Sequence, residues 1–550
     1  TFSGFCDSLS LSFNRRFFLF FLVILFARCE SKSYAYVSNE GCNYAVHQVD
    51  DFSEIPEDYV VKAVYDNQIN NTGWAFLELY ADESTKYTDE NKAFAAGAIE
   101  GVLTQDLIWM YWVNTMVGNY FKKIIFTPCI WCVSQFFLFF KVKLYMKQLE
   151  GLAKGYASAI TDNDQQLSYR DMLSINMQGD LLDLFEAMSE NHERGADRCS
   201  ALIKILPDGS DVFVSQETWN DYRAMLRIQK KYVLKYKTLP NEETTINGHT
   251  MSFSSYPGTL GSIDDFYITS ANLITQETTI GNFNKDQWKY ISPTGQVMEF
   301  VRSMVANRLA GTGKNWTDIF GKYNSGTYNN QWMVIDYKKF TPGTNAFENL
   351  QPGFLWVLEQ IPSTIEAQDM TSLLKEQGYW PSYNLPYFST IYNASGWPEK
   401  VKKYGDWFTY DKNPRGQIFK RDQGKIKNMD DMYAMMRYND FMHDPLSRCD
   451  CNPPYSADNA IAARCDLNKA NGTYPFKALG HRPHGAIDVK ITNIHLATTF
   501  QFLSVSGPTY NVSRGLPPFC WSESDFGNTI PHVGQPDLWQ FEPLTFEWEW

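Results

Sequence analysis

The period of the apolar positions changes abruptly at Cys199. Before it, residues 165–190 carry Met172, Leu173, Leu181, Leu182, Leu184, Phe185 and Met188 at helical spacing, and the polar stretch from Ser189 to Arg198 follows. That stretch has the composition of an exposed linker, where chain cleavage is tolerated. After it, Leu202, Ile203, Ile205 and Leu206 run into Pro207-Asp208-Gly209-Ser210, and Val212, Phe213 and Val214 return. Proline presets one turn angle and glycine supplies the positive φ, so the pattern predicts a β-hairpin with Cys199 at its free end.

Elsewhere the pattern alternates in type. Residues 32–70 read as short strands and turns around Gly41-Cys42, and residues 73–80 as a strand with Phe76, Leu77, Leu79 and Tyr80. From Asp89 to Met116 the spacing predicts a helix whose apolar face holds Ala93, Ala95, Ala96, Ala98, Ile99, Val102 and Leu103. Aromatic strands are expected at 328–336 and 354–360, a helix at 365–376, and strands and loops over the last hundred residues. The fold class is α+β with stacked sheets.

Two apolar runs do not fit this scheme. Asn14-Arg15-Arg16 followed by Phe17–Ala27 has the charged start and short apolar core of a signal peptide, so residues 1–31 are set apart from the fold. Ile124–Phe140 is nearly apolar between lysines. It reads as a segment foreign to the fold near 120–143, because the helical patterns on either side join without it; a short membrane span and a buried helix pair are the alternatives. Cys129 and Cys132 lie inside the run without the second ligand pair of a zinc site.

Composition narrows the partners. The chain has 550 residues, a net charge of −13 and a pI near 5.2, which argues against nucleic acid, since phosphate binding needs basic clusters. Five Asn-x-Ser/Thr sequons, at Asn70, Asn315, Asn393, Asn471 and Asn511, favour the secretory route together with the leader. In that compartment cysteines pair, and the cluster Cys449, Cys451 and Cys465 predicts at least one disulfide.

Several chemistries are excluded by motif. There is no Gly-x-Ser-x-Gly nucleophile elbow, His192-Glu193 lacks a second histidine, and Gly313-Lys314 lacks the P-loop glycine. His481-Arg482-Pro483-His484-Gly485 with Asp488 suits structural hydrogen bonding better than a metal, because spacing places no third ligand. A single cysteine is ordinarily a small buried hydrophobe or half a disulfide. Cys199 has a second reading. Its thiol can attack the carbonyl before it, and the freed α-amine, with a reference pKa of roughly 7.7–8.0, can then serve as base for the same thiol.

The motifs around it are distinctive: Cys-Ser-Ala-Leu-Ile-Lys at 199–204, Thr-Trp at 218–219, Met-Leu-Arg at 225–227, Ser-Ser-Tyr-Pro-Gly at 254–258 and Gly-Thr-Tyr-Asn-Asn-Gln-Trp-Met-Val at 326–334. Tyr-Trp-Pro-Ser-Tyr-Asn at 379–384, Arg-Asp-Gln at 421–423, Asn-Gly-Thr-Tyr-Pro-Phe at 471–476, Arg-Pro-His-Gly at 482–485 and Gly-Gln-Pro-Asp-Leu-Trp at 534–539 follow in order. Together they resemble the phospholipase B-like (laminin-ancestor) family from about residue 34 to 545, with a gap at about 120–143.

The resemblance implies an αββα sandwich of the N-terminal-nucleophile hydrolase type, made as a glycosylated precursor and found in lysosomes or secreted. It implies self-cleavage before Cys199, separating an N-terminal chain, 32–198, from a catalytic chain, 199–550. It further implies removal of acyl chains from glycerophospholipids, with no cofactor and with transient contact to a membrane surface. Cys199 matches the nucleophile and Trp219 the pocket motif; Asn384 is carried over as an oxyanion or substrate contact, and Arg421 as a thiolate or carboxylate partner. One departure stands out: where the family usually carries histidine, this chain has Gln216, which cannot shuttle a proton near neutral pH. An amidase acting on N-acyl lipids or peptides, and a weakly active glycoprotein that binds lipid or a receptor, are the competing expectations.

Overall fold

A computed structural model describes residues 32–41, 43–117, 138–188, 199–239, 242–292, 294–343 and 350–550. The expected leader, the linker 189–198 and most of the unmatched segment, with Cys129 and Cys132, lie outside these residues.

Two sheets organise the molecule. The larger has eleven strands, the smaller seven. In the large sheet every neighbouring pair is antiparallel except one: Trp74–Ala81 runs parallel to Arg227–Val233, in register from Trp74 opposite Arg227 to Tyr80 opposite Val233. Four strands on one side of this seam come from before Cys199, and seven on the other come from after it. A parallel pair needs a long crossover, and here more than a hundred residues, including the helices over 89–188, supply it.

The expected hairpin is the centre of the small sheet. Cys199–Ile205 pairs antiparallel with Val212–Asp221, with Cys199 opposite Thr218 and Ile205 opposite Val212. Its turn closes as the residues dictate: Gly209 takes φ 70°, its N–H reaches the Leu206 carbonyl at 2.9 Å, and the Asp208 carboxylate accepts from the Ser210 N–H at 3.0 Å. Tyr379–Ser382 flanks the hairpin on one side and Asp488–Thr492 on the other.

Period-two alternation splits each strand between two faces. Ala201, Ile203, Ile205, Val212 and Val214 pack against Phe266, Ile268, Ile274, Met333, Ile335 and Val357 of the large sheet, forming one dry core between the sheets. On its outer side the large sheet carries helices Asp89–Leu103, Leu138–Ala159 and Glu299–Leu309, and the small sheet carries Pro414–Asp422 and Met429–Met436. The α+β expectation holds in this layering.

Three local expectations change. The helix over 89–116 is two helices, Asp89–Leu103 and Gln105–Thr115, broken at Thr104, whose hydroxyl donates to the Glu100 carbonyl at 2.8 Å. The helix expected at 365–376 is a strand, Thr364–Asp369, followed by a helix, Thr371–Gln377. Thr-Ile-Glu-Ala-Gln-Asp alternates with period two, and a free edge beside Leu355–Ile361 accepts it. Helical structure resumes at Leu138, inside the stretch set apart as foreign near 120–143. Val142 is buried and Lys143 pairs with Glu90 at 2.6 Å, so the last residues of the unmatched stretch pack within the fold. Among the described residues no helix is long and apolar enough to cross a membrane.

The first two long helices meet glycine against backbone. A Cβ on Gly97 would lie 1.8 Å from the Gln148 carbonyl oxygen, and one on Gly155 would lie 2.0 Å from that of Ala98. Nothing flexible is available to yield. Gly97→Ala is therefore expected to destabilise the protein by about 1–3 kcal/mol through forced separation of the helices, while Gly424→Ala, which meets nothing within 4 Å, leaves the thermal midpoint unchanged; differential scanning calorimetry of both variants checks this.

Candidate active site

Cys199 is the first residue of its strand and is buried. Its backbone N–H donates to Asn384 Oδ1 at 3.2 Å, and its carbonyl accepts from Arg415 Nη1 at 2.8 Å. Asn384 holds the left-handed conformation, φ 71°, which asparagine tolerates better than most residues. Its amide nitrogen donates to the Thr279 carbonyl at 2.6 Å. The side chain thus offers its oxygen, rather than an N–H donor, to the nucleophile. Arg415 sits at the start of helix Pro414–Asp422, whose cap is Asn413. Its other terminal nitrogen donates to the Tyr383 carbonyl at 2.7 Å, so one guanidinium ties the nucleophile strand to the segment bearing Asn384.

Trp219 lies under that guanidinium, 4.5 Å from it, and donates to the Ile461 carbonyl at 3.1 Å. Arg421 does not reach this group. It lies one and a half turns further along the helix, bonded to Asp422 and at 2.8–2.9 Å to Asp444. It is a carboxylate partner on a half-exposed face; Arg415 is the arginine that touches Cys199, and the Asn-Pro-Arg helix start was the signal for it. Gln216 is fully buried, donating to the Asp264 carbonyl at 2.8 Å.

Beside these lies a buried ionic cluster that sequence reasoning did not assemble. Arg227 of the large sheet donates to Asp488 of the small sheet at 2.7 Å and to Asp264. Lys490 donates to both Asp488 oxygens, at 2.8 and 2.9 Å, and to the Thr218 hydroxyl at 2.6 Å. All four charged side chains are fully buried. Asp488 and Lys490 alternate with Ile487, Val489 and Ile491, so a charged stripe on an otherwise apolar strand was the available signal. Burial pushes Asp488 up, but Lys490 and Arg227 outweigh it and hold its carboxyl below the usual range. Burial, then the nearby Glu277 charge, pushes the Cys199 thiol well above its ordinary value, while the Trp219 N–H and Lys490 act in the opposite direction.

The remaining sequence candidates are placed plainly. Asp488 is committed to this cluster, and His481 Nδ1 bonds the Asn468 carbonyl at 2.7 Å; among the described residues no group of three or more His, Cys, Asp or Glu side chains is arranged to hold a metal ion. Cys449 and Cys451 are disulfide-bonded, and the buried Cys465 thiol donates to Asp458 Oδ1 at 3.5 Å. Asn70, Asn315, Asn393, Asn471 and Asn511 are all exposed.

Comparison with known proteins agrees with the order of motifs along the chain. The Phospholipase B family model matches residues 61–546. The chain belongs to the phospholipase B family. It is 45% identical over 520 residues to phospholipase B-like 2 of Mus musculus, covering 90% of this chain and 86% of that one. It is 42% identical over 510 residues to phospholipase B-like 1 of Caenorhabditis elegans (88% and 87% covered), and 35% identical over 515 residues to phospholipase B-like protein B of Dictyostelium discoideum (88% and 85%). The matched span of this phospholipase B family chain includes every residue that touches Cys199.

Several buried carboxyls of the family chain give it a pH signature. Burial pushes Glu359 up to about 8, although it accepts from the Tyr387 N–H at 2.6 Å and the Phe388 N–H at 3.1 Å. Burial likewise raises Asp180, Asp265, Glu217, Glu277 and Glu299. Between the ordinary glutamate value of 4.5 and the folded value near 8, Glu359 is ionised in the unfolded chain and protonated in the folded one. Folding then takes up protons, so stability falls as pH rises through this window. The thermal midpoint is expected to be higher at pH 5 than at pH 8, and Glu359→Gln to flatten that slope, as read by calorimetry across the range.

Proposed function

We propose that this chain is an N-terminal-nucleophile hydrolase of αββα architecture that matures by cutting the Arg198–Cys199 bond and then removes acyl chains from glycerophospholipids. The observation that carries the reading is the setting of Cys199, which opens a buried central strand with its N–H on Asn384 Oδ1 and its carbonyl on Arg415.

In maturation the Cys199 sulfur attacks the Arg198 carbonyl carbon, the C–N bond breaks, and the thiol proton passes to the departing nitrogen. Water then hydrolyses the thioester, freeing the Arg198 carboxylate and the Cys199 thiol. The new α-amine inherits the acceptor that its N–H already has, Asn384 Oδ1. Held there, it takes the thiol proton when the sulfur attacks an ester carbonyl and returns a proton to the leaving glycerol oxygen; water releases the fatty acid. Asn384 in this scheme orients the amine. One of its two N–H groups is engaged by the Thr279 carbonyl.

The large sheet supports the same reading. Cleavage at Cys199 leaves the parallel pairing of Trp74–Ala81 with Arg227–Val233 intact, so two chains share one sheet. The five exposed sequon asparagines fit a glycoprotein of the secretory route, lysosomal or secreted.

Intact mass and N-terminal sequencing test the reading. Purified protein is expected as two chains, the larger beginning at Cys199, that stay together in gel filtration until denatured. Cys199→Ala remains a single chain, and Asn384→Ala, which leaves the α-amine unheld, slows turnover by about 100-fold, the scale of a misplaced reacting group. A single chain in the wild-type protein sinks the proposal. Turnover is then assayed on phospholipid, lysophospholipid and N-acyl amide; hydrolysis of amides alone replaces the ester reading. A processed protein inactive on all three supports the reading as a weakly active glycoprotein that binds lipid or a receptor, the outcome that Gln216 favours.

A further inference from the structure

We propose that Lys490, acting through the Thr218 hydroxyl, is the positioning pair that directs positive charge at the sulfur of Cys199, beside a Gln216 that can supply none. The inference rests on the reading of Cys199 as nucleophile and adds residues to that site.

Register makes the case. Thr218 is the direct cross-strand partner of Cys199, and Gln216 is that of Ala201. Side chains of directly opposed residues share a face, with Cβ atoms about 5 Å apart. The Thr218 hydroxyl accepts from Lys490 Nζ at 2.6 Å, which leaves one proton to donate. Its acceptor here is Gln216 Oε1 at 3.3 Å, a long separation for an O–H···O bond. A sulfur that gains negative charge across the strand pair is a stronger acceptor than that amide, and rotation about a single bond redirects the proton to it. Gln216 cannot follow, because its nitrogen is bound to the Asp264 carbonyl.

Lys490 is prevented from swinging away. Both Asp488 oxygens hold it, Asp264 lies 3.8 Å off, and Asp488 is shared with Arg227 and with the Thr218 N–H at 2.9 Å. The charged groups around Cys199 are therefore Lys490, Arg227 and Arg415, the last held on its carbonyl at 2.8 Å, against Asp264, Asp488 and Glu277. Glu277 and Asp264 act to keep the thiol protonated, and Lys490 is the cation that opposes them. The pair accepts no proton; it steadies the thiolate that the α-amine or the departing nitrogen produces.

Thr218→Val keeps the β-branched shape and removes the hydroxyl, and Thr218→Ser keeps the hydroxyl. Methyl methanethiosulfonate labelling with peptide mapping reads the reactivity of Cys199 separately from the buried Cys465, and intact mass reads self-cleavage across pH. Expected results are Cys199 labelling faster than Cys465 in wild type, a loss of about tenfold in labelling and cleavage with a midpoint moved to higher pH in Thr218→Val, and recovery in Thr218→Ser, all read well below each variant's own thermal midpoint. A Thr218→Val profile like wild type, a Thr218→Ser variant as slow as Thr218→Val, or a wild-type Cys199 no more reactive than Cys465 overturns the proposal. Labelling that follows this order without cleavage would remove the maturation reading alone; cleavage with labelling indifferent to residue 218 removes only the role of the pair.

Discussion

Four charges buried between two sheets are a costly feature of this fold and the one around which the site is arranged. Arg227 reaches from the large sheet and Asp488 from the small one, with Asp264 and Lys490 completing the set. Removing one member would strand an uncompensated charge away from water, which destabilises by about 3–5 kcal/mol. Such a cluster is a poor way to gain stability over an apolar core. Its geometry explains its presence: the same Asp488 that neutralises Arg227 also accepts from the Thr218 N–H, directly opposite Cys199.

The apolar core between the sheets gives way to this polar region along a single pair of strands. In Cys199–Ile205 the inward positions Ile205, Ile203 and Ala201 shrink toward the free end, and Cys199 follows. On the partner strand the inward positions go from Val212 and Val214 to Gln216 and Thr218. The nucleophile candidate therefore sits where a dry sandwich opens into a hydrogen-bonded one, held from outside by Arg415 stacked on Trp219.

The seam of parallel strands gives the fold a second constraint. The residues before Cys199 do not form a separable lobe; they complete the large sheet and place Trp74 against Arg227, 5.1 Å from the guanidinium. A chain opened at Cys199 thereby keeps the ionic cluster enclosed, because the strands that enclose it come from both sides of the opening.

The sequence by itself determined the hairpin after Cys199, the strand expected at 73–80 and found at Trp74–Ala81, and the α+β class, since period-two and period-3.6 patterns are local properties. Motif order along the chain identified the family. Local pattern misled where a strand lay on an edge: Ile365 to Asp369 joins the large sheet only because Leu355–Ile361 offers unpaired backbone. At the site, Cys199, Trp219, Asn384 and Gln216 were legible as motif members, but Arg421 was named and Arg415 was not, because two arginines on one short helix differ only in which face meets the sheet. Asp488 was read beside His484 as a structural hydrogen-bonding residue, with no partner assigned to it. Lys490, two positions on, shares its face by alternation; only the packing of the two sheets decided that both meet Arg227, 261 positions from Asp488 in sequence.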